Sequence, residues 1–410
     1  MNQVHYYCLL AFIHCALTAR CLSEEPVKPE QPNTSAAAAN VTAVTEADNP
    51  APLAFAKKLE TTLRSGDPSF LEAHLDYSAM GQTAAKGLEL SAGFLAGFVD
   101  GFSKSVAISS RIVDAMKNGG KFKLLRVRVV NGELRALYRL LQGHGVNYHE
   151  YYLRARGDGD YAISDLYIYM IGEKVSATMR RALVPAAADQ NRSLWDKLTG
   201  NESDYIKALG QIGEVQRLQK EEKYQEALNV YNSLPASVQH ERSLMMIRLA
   251  IAKHVDKLNK DNSLYHATLD DFQKYFPNDP ALDLLLLDAY YFDKDSSKLL
   301  SCLDRLEQSL GGDAYITYYR AMTYHSMKQD DKMVEFAQQA IAADRELPSP
   351  YYLLLQKSLD EKNYADTVKW LNALEHCANI VYLHMATQTL FADFVKSPEY
   401  QGWAAARNVK

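Results

Sequence analysis

The feature that most limits how this chain can fold is a helical pattern that recurs through its second half. Lys223-Tyr224-Gln225-Glu226-Ala227-Leu228, followed by Tyr231, places an aromatic at a helix start, a small residue three places on and another aromatic four beyond that. Weaker copies are Tyr265-His266-Ala267-Thr268-Leu269 leading to Phe272, then Ser297-Lys298-Leu299-Leu300, Asp331-Lys332-Met333-Val334 and Tyr364-Ala365-Asp366-Thr367-Val368. The small position falls on Ala227, Thr268, Leu300, Met333 and Thr367, at spacings of 41, 32, 33 and 34 residues. One helix pair of this size cannot bury its own apolar face, so copies must stack and bury it against neighbours. Much of the 410-residue length therefore reports a repeat count and not a large catalytic core.

The Tyr224–Tyr231 pattern resembles the second helix of a tetratricopeptide repeat (TPR). The resemblance covers 204–380 as about five repeats, with first helices near 206–219, 242–258, 281–292, 314–327 and 350–360. It implies an all-α solenoid whose first helices line a concave groove. Tyr290, Tyr291, Tyr318, Tyr319, Tyr324, Tyr351 and Tyr352 cluster on those helices. They are the candidate groove residues for a protein or peptide partner, each weighed against plain core packing. In a doublet, one ring turns to the core and the next to a surface. Residues 381–410 read as capping helices, with a terminal helix over 381–395. The unit is net acidic, which disfavours polyanions.

Residues 53–184 form a different unit. Helical spacing over 54–64 and around Phe70, Leu71, His74 and Leu75 leads into a longer helical stretch near 80–116. Gly93, Gly97 and Gly101 there stand four apart, alongside Phe94, Phe98 and Phe102. The pattern fits either a small-residue zipper or a helix lying close on a sheet, with glycines admitting the backbone. After Gly119-Gly120 the period becomes two: strands over 122–130, 133–141, 146–156 and 161–171 are joined by turns at Asn131-Gly132, 143–145 and 157–160. Strict alternation puts Tyr161, Ile163, Asp165, Tyr167 and Tyr169 on one side of the last strand.

Helices followed by a four-stranded meander resemble the NTF2-like (nuclear-transport-factor-2-like) and cystatin-like class. Residues 159–183 are also similar to the last strand and helix of the periplasmic phospholipid-carrier proteins. The resemblance implies an α+β cone that encloses a small ligand or packs against a protein. Asp165, Tyr167, Tyr152 and His149 are the candidate ligand-binding residues, with His144 and Tyr148 nearby. The competing reading pairs Asp165 with Arg126, Arg128, Arg154 or Arg156 on neighbouring strands. No HExxH, CxxC, GxSxG, Walker A or GxGxxG pattern occurs, so no catalytic, cofactor or metal residue is assigned. Arg156-Gly157-Asp158 spells an integrin tripeptide, but a hairpin loop needs the same residues.

The N-terminus reads as an address. Residues 4–19 are apolar apart from His5, His14 and Thr18, which suits a signal peptide over 1–21 cleaved after Ala19 or Cys21. Arg20 sits where a lipobox needs a small residue, so a lipid anchor is the alternative, as is an uncleaved leader. A Pro/Ala-rich tether spans 22–52 and a linker 185–203. Cys302 and Cys377, the two cysteines of the body, read as buried unpaired thiols. A net charge of −5 provides no general field for nucleic acid. The sequence thus points to an exported, periplasmic or secreted, non-enzymatic scaffold. It binds a protein or peptide through its repeats and has no integral membrane span once the leader is removed. The alternative function is binding, or turnover, of a small or lipid-like ligand in the cone.

Overall fold

A computed structural model describes residues 45–46, 50–143, 145–190, 200–259, 261–380, 382 and 385–407. The expected leader over 1–21, most of the expected tether over 22–52, His144 and the middle of the expected 185–203 linker lie outside the described residues. The architecture is α+β followed by all-α. Contacts divide the chain into two compact units, residues 1–282 and 283–410.

The first unit opens with β1 (Thr45–Glu46) and helix α1 (Pro50–Arg64), then α2 (Ser69–His74), α3 (Tyr77–Ala84), α4 (Ala92–Val106) and α5 (Ile108–Lys117). Pro50 and Pro52 sit in the first turn of α1, where a missing N–H costs nothing. The continuous helix expected near 80–116 is broken twice. Asp76 and Ser91 cap α3 and α4 by accepting from Ala79 N and Phe94 N, so each starts afresh. Ala107, at φ 45°, turns the chain between α4 and α5.

Four long strands follow: β2 (Lys121–Val130), β3 (Glu133–Gln142), β4 (Gly145–Gly157) and β5 (Asp160–Ile168). With β1 and a short β6 (Glu173–Lys174) they make one antiparallel sheet in sequential order. The strand expected to reach residue 171 stops at Ile168, and the chain turns through Gly172 into β6. One sheet face packs on the helices. Phe55, Leu59, Met80, Phe102, Ile112, Phe122, Tyr138 and Tyr151 share that core. Phe122 stacks on Tyr138 at 4.7 Å and Tyr138 meets Tyr151 edge-on at 5.0 Å. Such pairs each add ~0.5–1.5 kcal/mol beyond area burial.

Strict alternation fails in β5. Tyr152 pairs with Asp165 while Leu153 pairs with Ile163, so Ser164 is an extra residue. This β-bulge reverses which side the strand presents. Ile163 therefore joins Leu166 and Ile168 in the helix-facing core, and does not share a side with Asp165 and Tyr167. The Ser164 hydroxyl donates to the Tyr152 carbonyl at 3.2 Å, satisfying a group beside the bulge.

On α4 the phenylalanines behave as expected and the glycines do not. Phe94, Phe98 and Phe102 pack on the core. Gly93, Gly97 and Gly101 face open space, with nothing within 4 Å of an added Cβ. They admit no backbone.

After β6 come α6 (Val175–Gln190), α7 (Gly200–Lys207), α8 (Leu209–Lys220), α9 (Tyr224–Asn232), α10 (Ala236–Gln239), α11 (Arg242–Asn259) and α12 (Ser263–Tyr275). In the second unit, α13 (Leu282–Phe292), α14 (Ser296–Leu310), α15 (Ala314–Ser326), α16 (Asp330–Ala343), α17 (Ser349–Asp360) and α18 (Tyr364–Ala378) alternate as helix pairs. Ala227, Thr268, Met333 and Thr367 are fully buried between helices. In the remaining copy the buried position is Leu299, one residue before the expected Leu300. Lys294, Lys328 and Lys362, each 34 residues apart, all take left-handed backbone between the paired helices, as does Glu222. Over 381–395 the described residues form 3-10 turns at Met385–Thr387, Thr389–Phe391 and Phe394–Lys396 in place of one helix. Thr387 and Thr389 are poor helix formers, and Met385, Phe391 and Phe394 are individually buried. α19 (Pro398–Ala405) ends the fold, capped by Ser397. Cys302 and Cys377 are free thiols, and Cys302 donates to the Asp283 carbonyl.

Two substitutions check this packing. Because Gly97 sits mid-helix in open space, Gly97→Ala is expected to raise stability by ~1 kcal/mol in thermal melts. Tight approach at Gly97 would reverse the sign. Gly172 has φ +70° and its missing Cβ is the room taken by the Arg242 guanidinium. Gly172→Ala is expected to cost ~2 kcal/mol or more by urea unfolding; a neutral result would refute that close approach.

Candidate functional site

Arg128 on β2 and Arg135 on β3 are direct cross-strand partners, an unfavourable pairing of like charges. Glu150 on β4 resolves it. Its Oε1 accepts from Arg128 Nη2 at 2.7 Å, and its Oε2 accepts from Arg135 Nη1 at 3.1 Å. Arg135 also donates to Glu133 at 2.6 Å. Glu150 and Arg128 are buried, on the sheet face opposite the helix-facing core. Removing one member of such a buried pair costs ~3–5 kcal/mol, because its partner is left desolvated and alone.

Next to this network, Tyr152 is flanked by two cations. The Arg135 guanidinium lies 4.5 Å from its ring centre and Lys174 Nζ 3.9 Å. Arg135 comes from β3 and Lys174 from β6, so the cations approach from strands on either side of Tyr152. A cleft of about 410 Å³ opens here, lined by Arg135, Glu150, Tyr152, Tyr167, Lys174 and Ser176, among others.

Three of the four expected ligand residues meet at or beside this cleft. Tyr152 and Tyr167 line it. Burial pushes both phenols well above their ordinary range, so they stay protonated. Tyr167 donates to Asp279 Oδ1 at 3.2 Å. Asp165 pairs across the strands with Tyr152, but its carboxylate is turned to the start of α6. It accepts from Ser176 Oγ at 2.5 Å, Leu166 N at 2.9 Å and Ser176 N at 3.2 Å. A carboxylate there satisfies an orphan N–H and complements the helix dipole. Burial raises the Asp165 pKa, while these hydrogen bonds and Lys174 oppose it. Among the described residues the Asp165 carboxylate accepts from Leu166 and Ser176 and not from an arginine, while Arg128 serves Glu150 and Arg154 donates to Asp76 at 2.5 Å.

His149 stands apart, in the core beside Phe122 and Tyr151. Asn147 accepts from Met170 N through Oδ1, so its amide nitrogen donates to His149 Nε2 at 3.0 Å. The imidazole is therefore neutral, with its proton on Nδ1. The void beside Phe102, Val106, Ile168 and Ile171 is too small to hold a water molecule. The helix-facing side of the sheet at that point is closed.

The expected groove tyrosines divide. Tyr291 and Tyr352 are 49% and 38% exposed, Tyr290 is half-buried, and Tyr351 is 2% exposed. Tyr351 donates to the Arg345 carbonyl at 3.2 Å. Tyr318 and Tyr319 are half-buried against Tyr315, and Tyr324 stacks on Phe336 at 5.2 Å.

Lys174, Arg135, Glu150 and Ser176 were not among the sequence candidates. Arg135 was discoverable by counting back from the Gly143 turn, which sets it opposite Tyr152. Lys174 gave no such signal, since β6 has two residues. Among the described residues, no group of three or more His, Cys, Asp or Glu is placed to hold a metal ion. No described helix is long and apolar enough to cross a membrane. Compared with known proteins, the chain matches no family model and no curated sequence.

Burial lowers the His149 pKa from 6.5 to about 4. The folded state therefore resists protonation more than the unfolded state does. The resulting stability is complete above pH 6.5 and is lost as pH falls toward 4, by ~2–3 kcal/mol at pH 4.5. Urea midpoints measured from pH 7 to 4.5 are expected to show this loss in the native chain and not in His149→Phe. Identical pH profiles would mean the imidazole is not held neutral.

Proposed function

We propose that the chain is an exported, non-enzymatic scaffold that binds a protein or peptide partner through TPR-like helical repeats. Export rests on the apolar stretch over residues 4–19. The repeat reading is supported by the alternating helix pairs and by the 34-residue interval shared by Lys294, Lys328 and Lys362. Partner binding rests chiefly on how the tyrosine doublets are divided. Tyr351 is spent on the core while Tyr352 stays exposed, and Tyr290 is more covered than Tyr291. Exposed tyrosines on first helices offer a large, rigid, amphipathic surface at low entropic cost, the property that makes tyrosine a frequent binding anchor.

The test places a photo-reactive benzoylphenylalanine at position 291, 352 or 338 in the native host. Gln338 is exposed on α16, a second helix, and serves as the control. The expected result is the same cross-linked protein from 291 and 352 and none from 338. Tyr352→Ala is then expected to weaken the purified pair about tenfold or more. Equal capture at all three positions, or none, would reject the reading.

A further inference from the structure

We propose that the cleft beside Tyr152 binds the carboxylate or phosphate end of a small organic anion, with Lys174 Nζ as the donor, the Arg135 guanidinium as a second positive charge and Tyr152 as a wall. This site is independent of the repeat reading. Its size of about 410 Å³ falls within the range of small-molecule sites.

The sign of the ligand follows from which polar groups are already taken. Glu150 is the cleft's acid, and both its oxygens are consumed, one by Arg128 and the other by Arg135. Arg180, also in the lining, is held by Glu202 and by the Ala84 and Lys86 carbonyls. A cationic ligand would find no free carboxylate. One donor does remain. Lys174 lies over the Tyr152 ring and forms no ion pair with any described residue. The Arg135 guanidinium, held by Glu150 and Glu133, adds a second positive charge at the same ring. An unpaired ammonium beside a second cation and an aromatic ring suits a charge-assisted hydrogen bond to an anion. The rest of the wall is small or apolar, from Thr83, Ala84, Ala177, Tyr167 and Pro280, which suits an apolar or aromatic body behind the charged end.

The experiment uses the full chain and phenylphosphonate as the probe, with benzyl alcohol as its neutral counterpart, measured by calorimetry. Phenylphosphonate is expected to bind and benzyl alcohol not to. Lys174→Met is expected to weaken binding at least tenfold, and Lys174→Arg to restore it to within about threefold. Thr83 is exposed at the rim, so Thr83→Trp is expected to block the cleft while leaving the melting temperature unchanged. It decides the matter even if Lys174→Met fails to fold. Absent binding overturns the proposal, as does equal binding of the neutral probe or binding that survives Thr83→Trp. A parallel co-sedimentation with phosphatidic acid and phosphatidylcholine vesicles separates the sources. Retention on phosphatidic acid alone, lost in Lys174→Met, identifies a lipid headgroup, whereas phenylphosphonate binding without retention identifies a free anion.

Discussion

Arg242 is the point at which the first unit is tied together. Its guanidinium pairs with Asp279, donates to the Ile171 carbonyl at 2.5 Å and lies over the Phe272 ring. Asp279 in turn accepts from the Tyr167 hydroxyl and from Ala281 N. One cation from the start of α11 thus joins the β5–β6 turn, the face of the sheet and the loop that precedes α13. The pair is nearly buried, where geometry and full hydrogen bonding decide whether an ion pair helps or harms. Gly172 makes the approach possible, because a side chain there would occupy the guanidinium's place. The sheet and the first helix pairs therefore fold as one contact unit through residue 282, although their sequence patterns differ completely.

The same economy governs the charges on the sheet. Two arginines face each other across β2 and β3, and a single glutamate from β4 serves both. Asp165, the most conspicuous acid in β5, is assigned to the N-terminus of α6 and so fixes where that helix begins. Beside Tyr152, Lys174 is left without an ion pair to any described residue.

Much of this architecture is legible in the sequence because its signals are local. Asn131-Gly132 and the glycine-rich turn at 157–159 mark hairpin ends within a residue or two, since positive φ there demands those residues. The recurring small position finds the helix pairs, although one copy is misplaced by a residue: Leu299 and Leu300 are chemically alike, and only packing distinguishes them. What local pattern cannot show is which side of β5 faces which neighbours, because the bulge at Ser164 depends on pairing with β4. For the same reason the candidate site is only partly legible. Tyr152 and Tyr167 stand out as aromatic residues on strands, but Lys174 enters through a two-residue strand formed by a tertiary turn. The glycines of α4 mislead in the opposite direction, being regular in spacing yet turned to open space.

The bulge divides β5 into two segments with separate obligations. Before it, Tyr161 and Ile163 belong to the hydrophobic core; after it, Asp165 and Tyr167 belong to the opposite face, while Leu166 and Ile168 keep hold of the core. One inserted residue therefore acts as a phase shift, allowing one strand to be read in two frames. The polar face can then drift in sequence without disturbing Ile163, and the core can be repacked upstream without moving Tyr167. Deleting residue 164 would remove the shift without exchanging the faces: Ile163 would be followed by Asp165 on the polar side and Leu166 in the core, and only the Ser164 bond to the Tyr152 carbonyl would be lost.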